Sequence, residues 1–238
     1  MELDFSNKHI IVTGGTGALG SSVVQLLTNS GAKCSIPCFN KSELEGFQLK
    51  NDENIFVQTG IDLTDEAATE TFFNQAVKKQ GELWASVHTA GGFAMGSIEK
   101  TTLADFNKQH QINLVTCYNS CRTAVGLMRK SGGGRIINIA SRPAIEQRQG
   151  KGRIAYTVAK AGVAALTRAL AEEVVGDGIL VNAIAPSIID SEQNRKSMPK
   201  VDFDKWPKPE QYAYQIAYLI SPQNEITNGA VIPVYGKS

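Results

Sequence analysis

The feature that most constrains this chain is a strict alternation of short apolar runs with longer amphipathic segments. Residues 9–13 (HIIVT) form a continuous apolar run, the pattern of a parallel strand covered on both faces. Residues 18–28 then carry apolar positions at 19, 23, 24, 26 and 27, a helical spacing that stops at Asn29-Ser30-Gly31. Further strands are expected at 33–39, 54–58, 83–89, 135–140, 179–184 and 230–234, with helices at 65–80, 102–129, 153–175 and 209–220. Pro37 weakens the second strand because it cannot donate to a ladder. Thr64 is the expected N-cap of the helix that ends before Gly81. The alternation predicts an α/β fold: a doubly wound, seven-stranded parallel sheet with helices on both faces.

The chain has 238 residues, 42% hydrophobic and 20% charged, enough to bury one large core. No linker or repeat divides it, so residues 1–238 are expected to form a single domain. Only 187–208 lacks periodicity, and a stretch of that length in a compact domain reads as a substrate lid. A formal charge of +1 argues against nucleic-acid binding by bulk charge. No apolar stretch has the length and continuity of a membrane span, and the N-terminal residues lack a secretory h-region. Cys34/Cys38 and Cys117/Cys121 read as small apolar residues on one face of a strand and of a helix. With three scattered histidines and no zinc-type spacing, no metal is expected, and a reducing, cytoplasmic setting fits best.

Two motifs carry chemistry. Thr13-Gly14-Gly15-Thr16-Gly17-Ala18-Leu19-Gly20 follows a strand and opens a helix, where glycines let the backbone approach a pyrophosphate at the positive helix terminus. Such turns also serve as ordinary strand-to-helix connections. Tyr156 and Lys160 stand at i and i+4, on one helical face, where a cation favours the phenolate. Alone, that pair is common on solvated helices. Following a strand that ends in Ser141, and with the glycine turn upstream, it points to proton exchange beside a dinucleotide.

Together these residues resemble the short-chain dehydrogenase/reductase family, in its classical size class, over nearly the whole length. The resemblance implies a Rossmann fold and a catalytic set of Asn113, Ser141, Tyr156 and Lys160. It implies cofactor contacts from Gly14, Thr16, Gly17, Leu19, Asn40, Asp62, Leu63, Ala90, Gly91, Tyr156, Lys160, Pro186 and Ile189. Tyr156 would exchange the proton, Ser141 would hold the substrate oxygen, and Lys160 would lower the phenol pKa and grip the nicotinamide ribose. Asn113 would interrupt its long helix and hold a water on a proton path. The function implied is NAD(P)-dependent hydride transfer between cofactor and a carbonyl or alcohol, of the 3-oxoacyl-thioester or another ketone type. A non-catalytic dinucleotide sensor is the rival reading, and Ala90–Phe93 also resembles the dihydropteridine-reductase branch.

Departures from the family pattern matter. Ala18 replaces the middle glycine, and His88-Thr89-Ala90-Gly91 replaces an Asn-rich turn, with His88 read as a polar residue tucked beside the sheet. Pro186-Ser187 stands where the family has Pro-Gly, and Ser191 where a Thr is usual. Ser141 and Tyr156 lie two residues further apart than usual, so 142–153 reads as a loop with an insertion. No acid precedes Glu43 after the second strand, which leaves room for a 2′-phosphate and favours NADP, with NAD not excluded. Pocket-wall candidates are Phe93, Met95, Arg142, Pro143, Arg148, Ile188, Met198, Phe203 and Trp206. In the Tyr156 helix, Ala159, Val163, Leu166, Leu170 and Val174 are expected against the sheet. Val158, Ala161, Ala165, Ala169 and Glu172 form a second face of mostly small residues. That second face and the edge strand 230–234 suggest a homotetramer.

Overall fold

The computed structural model describes residues 3–238. All seven expected strands form: β1 (His9–Thr13), β2 (Lys33–Cys38), β3 (Ile55–Thr59), β4 (Leu83–His88), β5 (Gly134–Ile139), β6 (Ile179–Pro186) and β7 (Val231–Val234). They pair in parallel throughout, in the order β3-β2-β1-β4-β5-β6-β7. The helices are α1 (Ala18–Asn29), α2 (Glu66–Gln80), α3 (Leu103–His110), α4 (Thr116–Ser131), α5 (Arg142–Ile145), α6 (Ile154–Val174), α7 (Glu192–Ser197) and α8 (Pro209–Ile220). Pro37 is tolerated because the β1 register ends at Ser35, two residues before it.

Alternate strand residues face opposite layers, so each strand serves two cores. Ile10 and Val12 of β1 pack with Val23 and Leu27 of α1 and with Ile216 and Ile220 of α8. Ile11, between them, joins Phe72 and Phe73 of α2, Met128 of α4, and Val163 and Val174 of α6 on the other face. This is the doubly wound Rossmann arrangement, and it explains why the strands read as unbroken apolar runs.

Several local expectations shift. The N-cap of α2 is Asp65 rather than Thr64, its carboxylate accepting from the Ala68 amide at 3.0 Å. Residues 142–153 are not a plain loop but fold into α5 and a 3-10 turn at Gln147–Gly150. Residues 187–208 contain α7, capped by the Ser191 hydroxyl, and a 3-10 turn at Phe203–Lys205. Ile154–Asp177 has the length and hydropathy of a membrane span, yet one face of it, with Val163, Ala171 and Val174, packs on the sheet. Leu166 and Leu170 do not face that sheet squarely; they are half-buried and line a groove against α4. The sheet-facing positions are instead Ala159, Val163, Thr167, Ala171 and Val174.

One buried polar cluster between these layers is paired through a single side chain. The Asn138 Oδ1 of β5 lies 2.8 Å from His88 Nδ1, 3.2 Å from the Cys117 sulfur and 3.5 Å from the Cys121 sulfur, while its Nδ2 donates to Thr167 Oγ1 at 3.0 Å. His88 is thus the tucked polar residue expected, with Ser86 Oγ 2.8 Å from its other nitrogen. The sequence did not bring His88 to the two cysteines, yet their donor atoms lie within 4.8 Å of one another. Asn138 sits among them and takes their hydrogens.

Replacing this hub by an apolar residue of similar size leaves His88 and two thiols short of an acceptor, at about 1–3 kcal/mol for each orphaned group. Asn138→Leu is therefore expected to lose about 3 kcal/mol or more of stability. Urea unfolding checks it; an unchanged midpoint would show that the network carries no stability.

Candidate active site

The sheet order reverses between β1 and β4, and ligands of such sheets bind outside the carboxyl ends of the strands at that point. Thr13 and Thr89 tie the two strand ends together. The Thr13 carbonyl accepts from the Thr89 amide at 3.1 Å and from its hydroxyl at 2.7 Å, and Thr13 Oγ1 accepts from the Ala90 amide at 3.3 Å. Gly14 turns with φ +65°, and a Cβ there would lie 2.7 Å from the Ala90 nitrogen. Gly17 is the N-cap of α1 and offers no side chain, so the first-turn amides stay free for an anion. A Cβ at Gly20 would run into the Gly14 carbonyl. Gly14, Gly17 and Gly20 therefore supply a bend, an open helix terminus and a close helix contact.

Beside this turn lies a cavity of about 650 Å³, lined in part by Gly14, Thr16, Gly17, Asp62, Leu63, Ala90 and Gly91, all expected cofactor residues. The free first-turn amides of α1 beside it suit an anionic group such as a pyrophosphate. Asp62 is locked, its Oδ1 accepting from the Thr64 amide at 2.8 Å and hydroxyl at 2.7 Å. Leu19 is buried on the inner side of α1, and Asn40 is exposed at the rim. Pro186 ends β6, and Ile189 follows it; both lie outside this cavity, as do Tyr156 and Lys160.

One rim residue escaped the sequence reading. Glu43, on the 3-10 turn Lys41–Leu44, returns to the cavity, where its Oε2 accepts from Thr16 Oγ1 at 3.1 Å and its Oε1 from the Asn40 amide at 2.8 Å. Burial, helped by the Glu43 charge, pushes the Cys38 thiol up to about 12. The capping spacing Asn40-x-x-Glu43 was the available signal.

The expected catalytic residues converge at the ends of β4 and β5. Asn113 sits in a π-turn, Gln111–Val115, that interrupts the long helix between α3 and α4, as expected. Its Nδ2 donates to the Gly92 carbonyl at 2.9 Å and its Oδ1 accepts from the Gly92 amide at 3.2 Å. A Cβ on Gly91 would lie 2.6 Å from Asn113 Oδ1 and 3.5 Å from Lys160 Nζ, so these three meet only because residue 91 is glycine. Lys160 Nζ donates to the Ile139 carbonyl at 2.7 Å, and burial lowers its pKa to about 8.

Ser141, at the end of β5, is buried, and its hydroxyl has no hydrogen-bond partner. The Tyr156 phenol lies beside it. Burial raises the phenol pKa, while the Ser141 hydroxyl and the Arg153 charge act to lower it. The i, i+4 spacing leads one to expect Lys160 as the cation that acts on the phenol. In the fold Lys160 rests on the Ile139 carbonyl, and the Arg153 charge also acts on the phenol.

The remaining wall candidates divide. Phe93 presents its ring to Tyr156 edge-on at 5.0 Å, with Met95 exposed beyond it. Arg142 is committed, pairing with Glu146 at 3.0 Å and donating to the Ser238 carbonyl at 2.9 Å. Pro143 is buried and Arg148 is exposed, whereas Ile188 and Met198 are half-buried. Trp206 lines a different cavity, under α8, where it is buried, 5.0 Å from the Phe203 ring.

Comparison with known proteins agrees with this geometry. The short chain dehydrogenase family matches residues 8–202. The chain is 31% identical to a 3-oxoacyl-acyl-carrier-protein reductase of Rickettsia typhi over 98% of both chains. It is 27% identical to an acetoacetyl-CoA reductase of Cupriavidus necator, covering 94% of this chain and 95% of the relative. The crystal structure of a levodione reductase superposes with a TM-score of 0.88 at 26% identity, covering 98% and 97% of the two chains.

Burial of Lys160 makes stability depend on pH. Its folded pKa near 8 lies below its ordinary 10.5, so above pH 8 the unfolded chain holds the proton more tightly than the native one. Relative to Lys160→Met, the wild type is expected to gain about 2–3 kcal/mol as the pH rises from about 8 to about 10.5, with a constant difference below about 7. Denaturant titrations of the pair measure it, and a difference flat across that whole range contradicts it.

Proposed function

The chain belongs to the short-chain dehydrogenase family, and from that premise we propose how its residues divide an NAD(P)-dependent carbonyl reduction. It is an oxidoreductase acting on carbonyl and alcohol groups. Tyr156 protonates the ketone oxygen, and Ser141 donates a hydrogen bond to the same atom as charge develops on it. The observation that carries this reading is the buried Ser141 hydroxyl, which apart from its action on the adjacent phenol has no partner, since a buried polar group calls for one and a substrate oxygen supplies it. When bound, the nicotinamide dinucleotide supplies the hydride. With the dinucleotide bound, Lys160 would hold the nicotinamide ribose hydroxyls and act on the phenol, and Asn113 would hold a water between Lys160 and solvent. Gly14, Thr16, Gly17 and Leu19 hold the pyrophosphate, Asp62 and Leu63 the adenine, Ala90 and Gly91 the sugar, and Pro186 and Ile189 the nicotinamide amide. The substrate is a ketone, of the 3-oxoacyl type that the relatives' names carry or close to it.

Choice of dinucleotide turns on the end of β2. The absence of an acid there, with Asn40, Lys41 and Ser42 in its place, favours NADP(H) from sequence. The Glu43 carboxylate beside Thr16 and Cys38 supports NAD(H) instead, since it stands where adenosine ribose hydroxyls would accept it and a phosphate dianion would not. We adopt NAD(H). The exposed Val158, Ala165 and Ala169 of α6, flanking the groove against α4, support association with further copies, a homotetramer in a cytoplasmic setting.

Two measurements test these assignments. Tyr156→Phe is expected to lower kcat on any reduced ketone by about 10²–10⁴-fold with the fold intact, and near-wild-type turnover would overturn its role. Glu43→Gln is expected to tighten NADPH relative to NADH at least about tenfold, which corresponds to about 1.4 kcal/mol of removed repulsion. An unchanged ratio of the two dissociation constants would remove Glu43 from the selection.

A further inference from the structure

Arg153 is the N-cap residue of α6, one helical turn before Tyr156, and its surroundings are unlike those of the other arginines in this region. Its backbone is pinned. The Arg153 amide donates to the Gly150 carbonyl at 3.0 Å, its carbonyl accepts from the Thr157 amide at 2.9 Å, and Gly96 bridges to the segment through the Gly152 carbonyl at 2.8 Å. Its guanidinium carbon lies 5.9 Å from the Phe93 ring centre, the same ring that meets Tyr156 edge-on at 5.0 Å. One aromatic wall therefore carries both the guanidinium and the phenol. Among the described residues no carboxylate pairs with Arg153, and its Nε is buried without a hydrogen-bond partner. The only acid in 142–153 is Glu146, already held by Arg142. Arg148 and Lys151, both exposed, add positive charge to the approach.

A half-buried guanidinium without a counter-ion is uphill unless something supplies the anion. We propose that Arg153 is the carboxylate receptor of the substrate site, so that the ketones this enzyme reduces best carry a carboxylate within a few bonds of the reacting carbonyl. The forked donors of a guanidinium match a carboxylate in two parallel hydrogen bonds and fix its orientation. Phe93, itself exposed, lies against both the guanidinium and the phenol and forms the apolar side. With the carboxylate on Arg153, the ketone oxygen falls toward the unpartnered Ser141 hydroxyl and the phenol. This inference rests on the reading of Tyr156 and Ser141 as the reducing pair.

The experiment compares acetoacetate with methyl acetoacetate, two 3-oxo compounds that differ in the carboxylate charge, using the wild type, Arg153→Gln and Arg153→Lys with NADH and NADPH. The wild type is expected to prefer the acid by at least tenfold in kcat/KM. Arg153→Gln is expected to reduce that acid-to-ester ratio at least tenfold, mainly through the KM of the acid, and Arg153→Lys to restore part of it. An ester preference in the wild type, a ratio that Arg153→Gln leaves alone, or better use of acetoacetyl-CoA with the same indifference to Arg153 overturns the proposal while ester turnover upholds the reducing pair. If neither compound is reduced, the reading of the reducing pair falls. Calorimetric binding of acetoacetate to the wild type, lost in Arg153→Gln, then still supports the receptor, and equal binding to both or to neither overturns it.

Discussion

Everything at the binding face depends on one close approach, that of Gly14 to the Ala90 backbone. The ends of β1 and β4 are joined there by three hydrogen bonds to the Thr13 oxygens, and the chain then diverges to opposite faces of the sheet. A side chain at position 14 would meet backbone atoms within 3 Å, so the crevice has a floor of bare backbone only because residue 14 has no Cβ. The same economy recurs at Gly91, which lets Asn113 and Lys160 meet across it. Two missing side chains thus bring the α1 terminus, the π-turn and the Lys160 head to one side of the sheet.

Around that crevice the polar groups behave in two ways. Deep in the sheet they are paired: Asn138 serves His88, two thiols and Thr167, and His9 is held between the Gly81 carbonyl and Ser35 Oγ, both at 2.8 Å. Near the reducing pair they are not: the Ser141 hydroxyl and Arg153 Nε lack partners. Buried groups without partners are costly, and for the two that lie beside the phenol a bound substrate would supply the partner. Lys160 lies between these regimes, satisfied by Ile139 yet depressed in pKa to about 8, so its proton is held loosely enough to join a transfer path near neutral pH.

Much of this was legible in the amino-acid order because local pattern dictates it. Apolar runs such as HIIVT and RIINI can only be doubly covered strands, and strict alternation with helices leaves a parallel sheet as the consistent arrangement. Resemblance to a known family placed Asn113, Ser141, Tyr156 and Lys160, and the fold brings them together. What stayed hidden depends on contacts distant in sequence. Glu43 reaches Thr16 across 27 residues through a turn that reads as a surface connection. His88 and Asn138 meet across 50 residues on neighbouring strands. The i, i+4 rule placed Lys160 beside Tyr156, but it is silent on where a long side chain bends, and the buried Ile139 carbonyl decided that. Leu166 and Leu170 matched the sheet-facing stripe in period, yet a helix with apolar residues on two sides does not reveal which side meets the sheet.

The central claim is that the face between β1 and β4 is a dinucleotide site whose floor must be bare backbone. Titrating NADH fluorescence with the wild type and with Gly14→Val tests it most directly, circular dichroism serving as the control for fold. The account predicts one saturable site per chain in the wild type and loss of that binding in Gly14→Val at unchanged helix content. Equal NADH binding by a folded Gly14→Val, or none by the wild type, would contradict it.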